Sequence, residues 1–172
     1  LYPGIAAANN APIVFYHSDA TNIASPASQT YTERLRIDSN GNLGVNKSPE
    51  TDWSGSYRAI EIGNSSISAY QGNTYPSIEL NMNCRGTQGS YSAGWKYIRS
   101  MAATQIHMPY DGNVLFRRAA SGSADGAITW SESMRVTSDG KIGISDTSPE
   151  NTLSIKNIGS FEGDANSFYL GS

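Results

Sequence analysis

One stretch of this 172-residue chain occurs twice, and that constrains the fold more than any other feature. Arg34-Leu35-Arg36-Ile37-Asp38-Ser39-Asn40-Gly41-Asn42-Leu43-Gly44-Val45 closes at Ser48-Pro49-Glu50. The second copy, Ser133-Met134-Arg135-Val136-Thr137-Ser138-Asp139-Gly140-Lys141-Ile142-Gly143-Ile144, closes at Ser148-Pro149-Glu150. Both glycines, the arginine ahead of the turn and the Ser-Pro-Glu recur in register, with one residue inserted near Asp146. A turn-bearing unit repeated in this way points to a modular, fibrous β architecture rather than a compact enzyme fold.

The repeat is longer than its signature. Pro12-Ile13-Val14-Phe15-Tyr16 precedes the first copy and Asn113-Val114-Leu115-Phe116-Arg117 the second. Each is followed by a loop of small residues, then by an aromatic and an acid, Tyr31 with Glu33 and Trp130 with Glu132. Each unit therefore reads as strand, polar loop, strand, tight turn, strand. Side-chain parity types the turn. A three-residue loop, Ser39-Asn40-Gly41, pairs Ile37 with Leu43 and Leu35 with Val45 on one buried face. In the second copy Val136 pairs with Ile142 and Met134 with Ile144. Such loops end in a left-handed residue, which makes Gly41 and Gly140 the natural occupants. Gly44 and Gly143 fall opposite Arg36 and Arg135, where a missing side chain lets the arginine stem lie flat or another chain approach.

Residues 51–111 read as a different kind of segment. Arg58–Gly63 and Ser77–Met82 alternate polar with apolar as half-buried strands do, and 95–98 and 104–108 look like two more. Pro49–Trp53 is placed for a single helical turn behind Ser48. The chain divides into a first β repeat (1–50), an aromatic-rich β segment (51–111), a second β repeat (112–150) and the start of a further segment (151–172). The expected fold class is all-β: repeated β-hairpin modules in an elongated, trimeric, intertwined fibre.

Composition narrows the function. Leu, Ile, Val and Phe make up only about 17% of the chain, yet the net charge is just −3, so charge-driven disorder is not expected. Neighbouring chains could supply the missing apolar mass. The mild acidity and the absence of Lys/Arg clusters argue against nucleic acid, and no apolar run is long enough to span a bilayer. With no signal segment and no initial Met, the chain reads as a stretch of a longer polypeptide. A single cysteine, Cys84, allows no intrachain disulfide and no cysteine metal cluster.

Catalytic signatures are sparse. Asp38-Ser39-Asn40-Gly41-Asn42 resembles the front of a calcium loop, but no closing Glu follows, and the second copy has Thr137 and Lys141 at two of the ligand positions. His17 and His107 have no repeated context. Glu61 and Glu79 lie on predicted strands, and such a pair could serve glycoside cleavage only as any β protein's carboxylates could. No metal, no cofactor and no catalytic residue is assigned, and the chain is expected not to be an enzyme. Aromatics crowd the middle segment. Of these Tyr91, Trp95 and Tyr97 are the candidate binding residues, since such rings stack on sugar faces. The alternative is that they fill a subunit interface.

The string Glu33–Val45 followed by Ser48-Pro49 resembles a motif of bacteriophage tail-fibre and related virion fibre proteins, approximately Glu-Arg-Met-Arg-Ile-Asp-Ser-Ser-Gly-Asn-Val-Gly-Ile-Gly-Thr-x-x-Pro. The second copy and its lead-in, Asp125–Glu132, are similar too, as are Arg58–Gly63 and Trp95-Lys96-Tyr97. The chain departs from the motif at Asn46-Lys47 and Ser145-Asp146, where the family has Gly-Thr. The resemblance implies a homotrimeric, β-rich segment on a virion, partnered by itself and by other virion proteins and used in host attachment. A glycan-binding receptor module is the alternative reading, and a polysaccharide-cleaving tailspike a further one.

Overall fold

The computed structural model describes residues 11–18, 30–72, 74–87 and 94–156. These residues are all-β. The strands in chain order are β1 (Ile13–Ser18), β2 (Tyr31–Ile37), β3 (Leu43–Val45), β4 (Tyr57–Ile62), β5 (Ser65–Tyr70), β6 (Ser77–Met82) and β7 (Cys84–Gly86). They continue with β8 (Trp95–Tyr97), β9 (Ala103–Pro109), β10 (Val114–Ala119), β11 (Ser131–Val136), β12 (Ile142–Ile144) and β13 (Leu153–Ile155). Eleven of them form one sheet in strict chain order, while β7 and β8 pair as a separate ribbon between β6 and β9. Pro49–Trp53 is not the expected helical turn: only Thr51 and Asp52 within it form a turn. The strands β5 and β7 were not legible in the sequence, because Ser65–Tyr70 is rich in serine and β7 is only three residues long.

The repeat is structural as well as sequential. Strands β1 to β4 and β10 to β13 follow the same path: two antiparallel steps, then a parallel one, β3 to β4 and β12 to β13. Each Ser-Pro-Glu lies in the crossover that makes the parallel step possible. A β-bulge falls at the same place in both copies, leaving Arg34 unpaired between Phe15/Tyr16 and Ser133 unpaired between Phe116/Arg117. One extra residue shifts side-chain parity. Glu33 and Arg36, three apart, therefore meet on one face as a two-pronged ion pair, and Glu132 and Arg135 do the same. The Arg36 guanidinium holds the Glu33 carboxyl below its ordinary pKa. The first seven sheet strands make one module, and the last four restate its opening. Strands β4, β5, β6 and β9 of the middle segment thus belong to the same sheet as the repeats that flank them.

The turns have the expected form. Ile37 pairs with Leu43 and Val136 with Ile142, and Gly41 and Gly140 both have φ of 84°. The side chain of Asp38 accepts the N–H groups of Asn40 and Asn42 and the Asn42 amide, so its oxygens serve the turn itself. Thr137 does the same work in the second copy by accepting the Lys141 N–H. At Gly143 the Arg135 stem does lie close, 3.3 Å from where a Cβ would stand, but the tightest neighbour at both glycines is the crossover loop. A Cβ on Gly44 would lie 2.2 Å from the carbonyl oxygen of Lys47, and one on Gly143 would lie 2.2 Å from that of Asp146. The crossover loop of the same chain closes over the glycine.

That loop is clasped to the strand it leads to, with opposite polarity in the two copies. Lys47 Nζ lies 2.6 Å from Glu61 Oε2 in the first. In the second, Asp146 accepts hydrogen bonds from Lys156, 2.6 Å away, and from Ser154. The Lys156 ammonium, the Ser154 hydroxyl and the Ser148 N–H hold the Asp146 carboxyl at a pKa of about 2. A carboxyl whose folded pKa is depressed stabilises the fold above its unfolded pKa and loses that contribution as pH falls towards the folded value. The melting temperature should therefore drop between pH 4 and pH 2, and Asp146→Asn should flatten this part of the profile in a thermal melt series.

Asn46 and Ser145 adopt left-handed φ of 55° and 51° at the position where the resembled motif has glycine. A side chain there costs about 1–2 kcal/mol, partly offset by glycine's greater freedom when unfolded. Ser145→Gly should therefore stabilise by roughly 0.5–1 kcal/mol. Gly143→Ala, which drives a methyl into the Asp146 carbonyl, should destabilise by about 1–3 kcal/mol. Denaturant unfolding of the two variants should show opposite shifts in midpoint.

Candidate functional site

Alternation along the strands normally sends polar side chains to water and apolar ones to a core. In this sheet the polar face is the one its own chain covers. Gly44, Glu61, Ser66, Asn81, Gln105, Arg117 and Glu132 lie in one cross-strand row on that face. A second row passes through Ala59, Ser68, Glu79, His107, Leu115 and Arg135. Glu79 is 0% exposed and accepts hydrogen bonds from Ser68 (2.8 Å) and Ser77, with His107 Nδ1 at 3.3 Å. Asn81 donates to Ser66 and Ser68 and accepts from Gln105 at 2.8 Å. Glu61 accepts from the Trp53 indole and the Glu50 N–H besides pairing with Lys47. Partners of this kind offset much of the cost of burying these polar groups. Neither Glu61 nor Glu79 opens to solvent.

The ribbon β7–β8 and the loops around it cover this face. Arg85 on β7 reaches Asp52 and Asp125 and donates to the Tyr97 carbonyl, tying the ribbon to the loops on both sides. Burial alone would lower the Arg85 pKa, yet its bonds to Asp52 and Asp125 raise it overall. Ile128 N–H donates to the Trp95 carbonyl, so the strap before β11 joins the edge of β8. Gly86 leaves the room the Tyr57 ring occupies, since a Cβ there would sit 2.8 Å from the ring. Burial pushes the Tyr57 hydroxyl and the Cys84 thiol far above their ordinary pKa values, so neither ionises at neutral pH.

The candidate binding residues fall as follows. Trp95 is 2% exposed and sits among Trp53, Tyr57 and Trp130, with ring centroids 6.4, 5.6 and 6.2 Å away. Tyr97 is 6% exposed, donates its hydroxyl to the Ala120 carbonyl and packs against Gly122. Tyr91 lies outside the described residues. Both described rings therefore form the chain's own aromatic core and offer no open face to a sugar. Burial at Trp95 was not legible in the sequence, since Trp-Lys-Tyr reads equally well as an exposed strand. The exposed rings are elsewhere: Tyr75 and Tyr110 stand 4.8 Å apart at the ends of neighbouring strands, and Tyr16 meets Tyr31 edge-on at 6.5 Å.

The opposite face of the sheet is apolar and open. Following the hydrogen-bonded register, one row runs Ile13, Ile37, Leu43, Ile60, Ile67, Leu80, Ile106, Phe116, Met134, Ile144, Ile155. It crosses all eleven strands without one polar residue. Flanking it are Phe15, Leu35, Val45, Ile62 and Met82 on one side and Ile78, Met108, Val136, Ile142 and Leu153 on the other. Ile62 is 63% exposed and Ile67 47%. Leu35, Ile37, Leu43 and Val45, expected as a buried face, are only half-buried within the single chain. Hollows of about 540 Å³ beside Leu80, Met82, Ile106 and Phe116, and about 230 Å³ beside Leu43, Ile60, Ile67 and Ile78, corrugate the surface.

No family model and no curated protein matches this chain.

Trp95→Ala should cost about 3–5 kcal/mol by opening a cavity in the aromatic core, whereas Tyr110→Ala, at the surface, should move stability by less than about 0.5 kcal/mol. Chemical denaturation monitored by circular dichroism separates the two, and equal effects would contradict the buried placement of Trp95.

Proposed function

We propose that this chain is a structural segment of a virion fibre, that it assembles with two further copies of itself, and that the fibre serves host attachment. The observation that carries the reading is the open apolar face. At a strand spacing of about 4.8 Å and about 6.7 Å for each two-residue step, two apolar positions on each of eleven strands cover a band roughly 50 Å by 13 Å. That exceeds what a soluble monomer ordinarily leaves exposed and approaches the share one partner gives to a standard interface. The band is long and narrow and crosses every strand of the sheet, which suits side-by-side packing of copies rather than capture of a small ligand. Three is the number that the resemblance to virion fibres implies, and so are the virion location and the attachment role. The mechanism is mechanical: a stiff rod displays weak receptor contacts repeatedly, and avidity sums them.

Glycan recognition is a second reading, favoured by the exposed Tyr75–Tyr110 ring pair rather than by Trp95 or Tyr97. Loss of glycan-array binding in Tyr110→Ala with an unchanged melt is its expected signature.

Light scattering of the folded chain should give three times the chain mass. Ile67→Asp combined with Leu80→Asp puts two carboxylates in the middle of the apolar row and should shift the protein to monomer, with its β spectrum retained. A folded wild-type monomer would sink the fibre reading.

A further inference from the structure

The second unit of the repeat does not fall in line with the first. Ile37 and Val136 hold the same place in the two copies of the repeated sequence. Yet the hydrogen-bonded row that passes through Ile37 arrives on β11 at Met134, two residues short of Val136. The second unit therefore stands one two-residue step, about 6.7 Å, to the side of the first. Seven strand spacings, about 34 Å, separate β2 from β11. The line joining equivalent positions is thus inclined to the row by about 11°.

Side chains flanking the row follow the inclined line. On β4, Ile60 of the row has Ile62, 63% exposed, on one side. On its other side stands Arg58, whose guanidinium donates to the Gly55 and Tyr57 carbonyls. On β9 the sides are exchanged: Ile106 has Thr104 on the Ile62 side and Met108 on the Arg58 side. Between them β6 is apolar at Ile78, Leu80 and Met82 alike, all three exposed. On β10 the exposed Arg118 continues the side of Thr104. The apolar strip therefore passes from one side of the row to the other at β5 and β6, and its polar borders change sides with it.

We infer that this oblique strip, and not the straight row, is the surface on which copies of the chain pack against one another. A contact along the row would enclose Thr104 and Arg118 towards one end or Arg58 towards the other, and an enclosed charge is costly unless paired. A second copy is the occupant that fits, because only a partner with the same sideways step stays on the strip from one unit to the next. Two positions wide along eleven strands, the strip has the area of the band described above, close to one partner's share of a standard interface. Each copy then stands with its strands tilted by about 11° from the perpendicular to the shared axis. The strip presupposes the self-assembly proposed above, but neither the virion location nor the number three.

Single aspartates on either side of the row test this in the full chain, with association followed by sedimentation velocity over a concentration series and folding by circular dichroism. Ile62→Asp and Met108→Asp should each raise the concentration of half-dissociation at least about tenfold, since each sets a carboxylate in an apolar contact. Thr104→Asp, on the same strand as Met108 but outside the strip, should change it by less than about threefold. If Met108→Asp loses its β spectrum, Leu153→Asp, 40% exposed in line with Val136 and Ile142, is read in its place. Dissociation by Thr104→Asp as strong as by Met108→Asp, or intact assembly in Ile62→Asp or Met108→Asp, would overturn the oblique strip and leave self-assembly standing. A folded wild-type monomer would remove self-assembly itself, and the strip with it.

Discussion

Register is the constraint on which the structure depends. A β-strand alternates its side chains with a period of two, so a slip of one residue at any step would carry every later apolar residue to the other face. Here the apolar row stays on one face through eleven strands. The turns, bulges and crossovers of the two repeats serve that continuity. The three-residue turns ending at Gly41 and Gly140 keep Leu43 and Ile142 opposite Ile37 and Val136. The bulges at Arg34 and Ser133 absorb one residue each, and the crossover loops over Gly44 and Gly143 return the chain to a parallel neighbour in phase.

The polar face follows from the same alternation. Keeping Ile60, Ile67, Leu80 and Ile106 on one side places Glu61, Ser66, Glu79, Asn81, Gln105 and His107 on the other, and the chain roofs that side with β7, β8 and their aromatic cluster. Burying two carboxylates is costly unless each is paired. Glu79 has two serines and a histidine, and Glu61 has a lysine, an indole and a backbone N–H. Such a network is directional where an apolar core is not, so it fixes how β4, β5, β6 and β9 meet one another and how the loop at 47–53 lies against them. The clasps, Lys47 with Glu61 and Asp146 with Lys156, place an ion pair at each crossover with opposite polarity.

Much of this is legible in the residues. Parity around Asn40-Gly41 and Asp139-Gly140 dictates the hairpin registers, and the doubled Ser-Pro-Glu marks both crossovers. The strands at Arg58–Gly63 and Ser77–Met82 show their alternation openly. What was not legible is which face of that alternation the chain would cover. Sequence pattern separates Ile78, Leu80 and Met82 from Ser77, Glu79 and Asn81 but does not say which set turns inward. Trp95 and Tyr97 illustrate the consequence: as isolated aromatics they suit a binding surface, and only the packing of Trp53, Tyr57 and Trp130 around them makes them core.

The sequence by itself determined the local structure: where the chain turns, which residues pair across each hairpin, and that two copies of one unit are present. These depend on backbone sterics and on neighbours a few residues apart. Only the tertiary structure decided that the repeats and the segment between them form a single sheet, that a ribbon covers its polar face, and that its apolar face stays open. Those outcomes depend on contacts between residues far apart in the chain, such as Arg85 with Asp125 and Asn81 with Gln105, whose pairing no local pattern encodes.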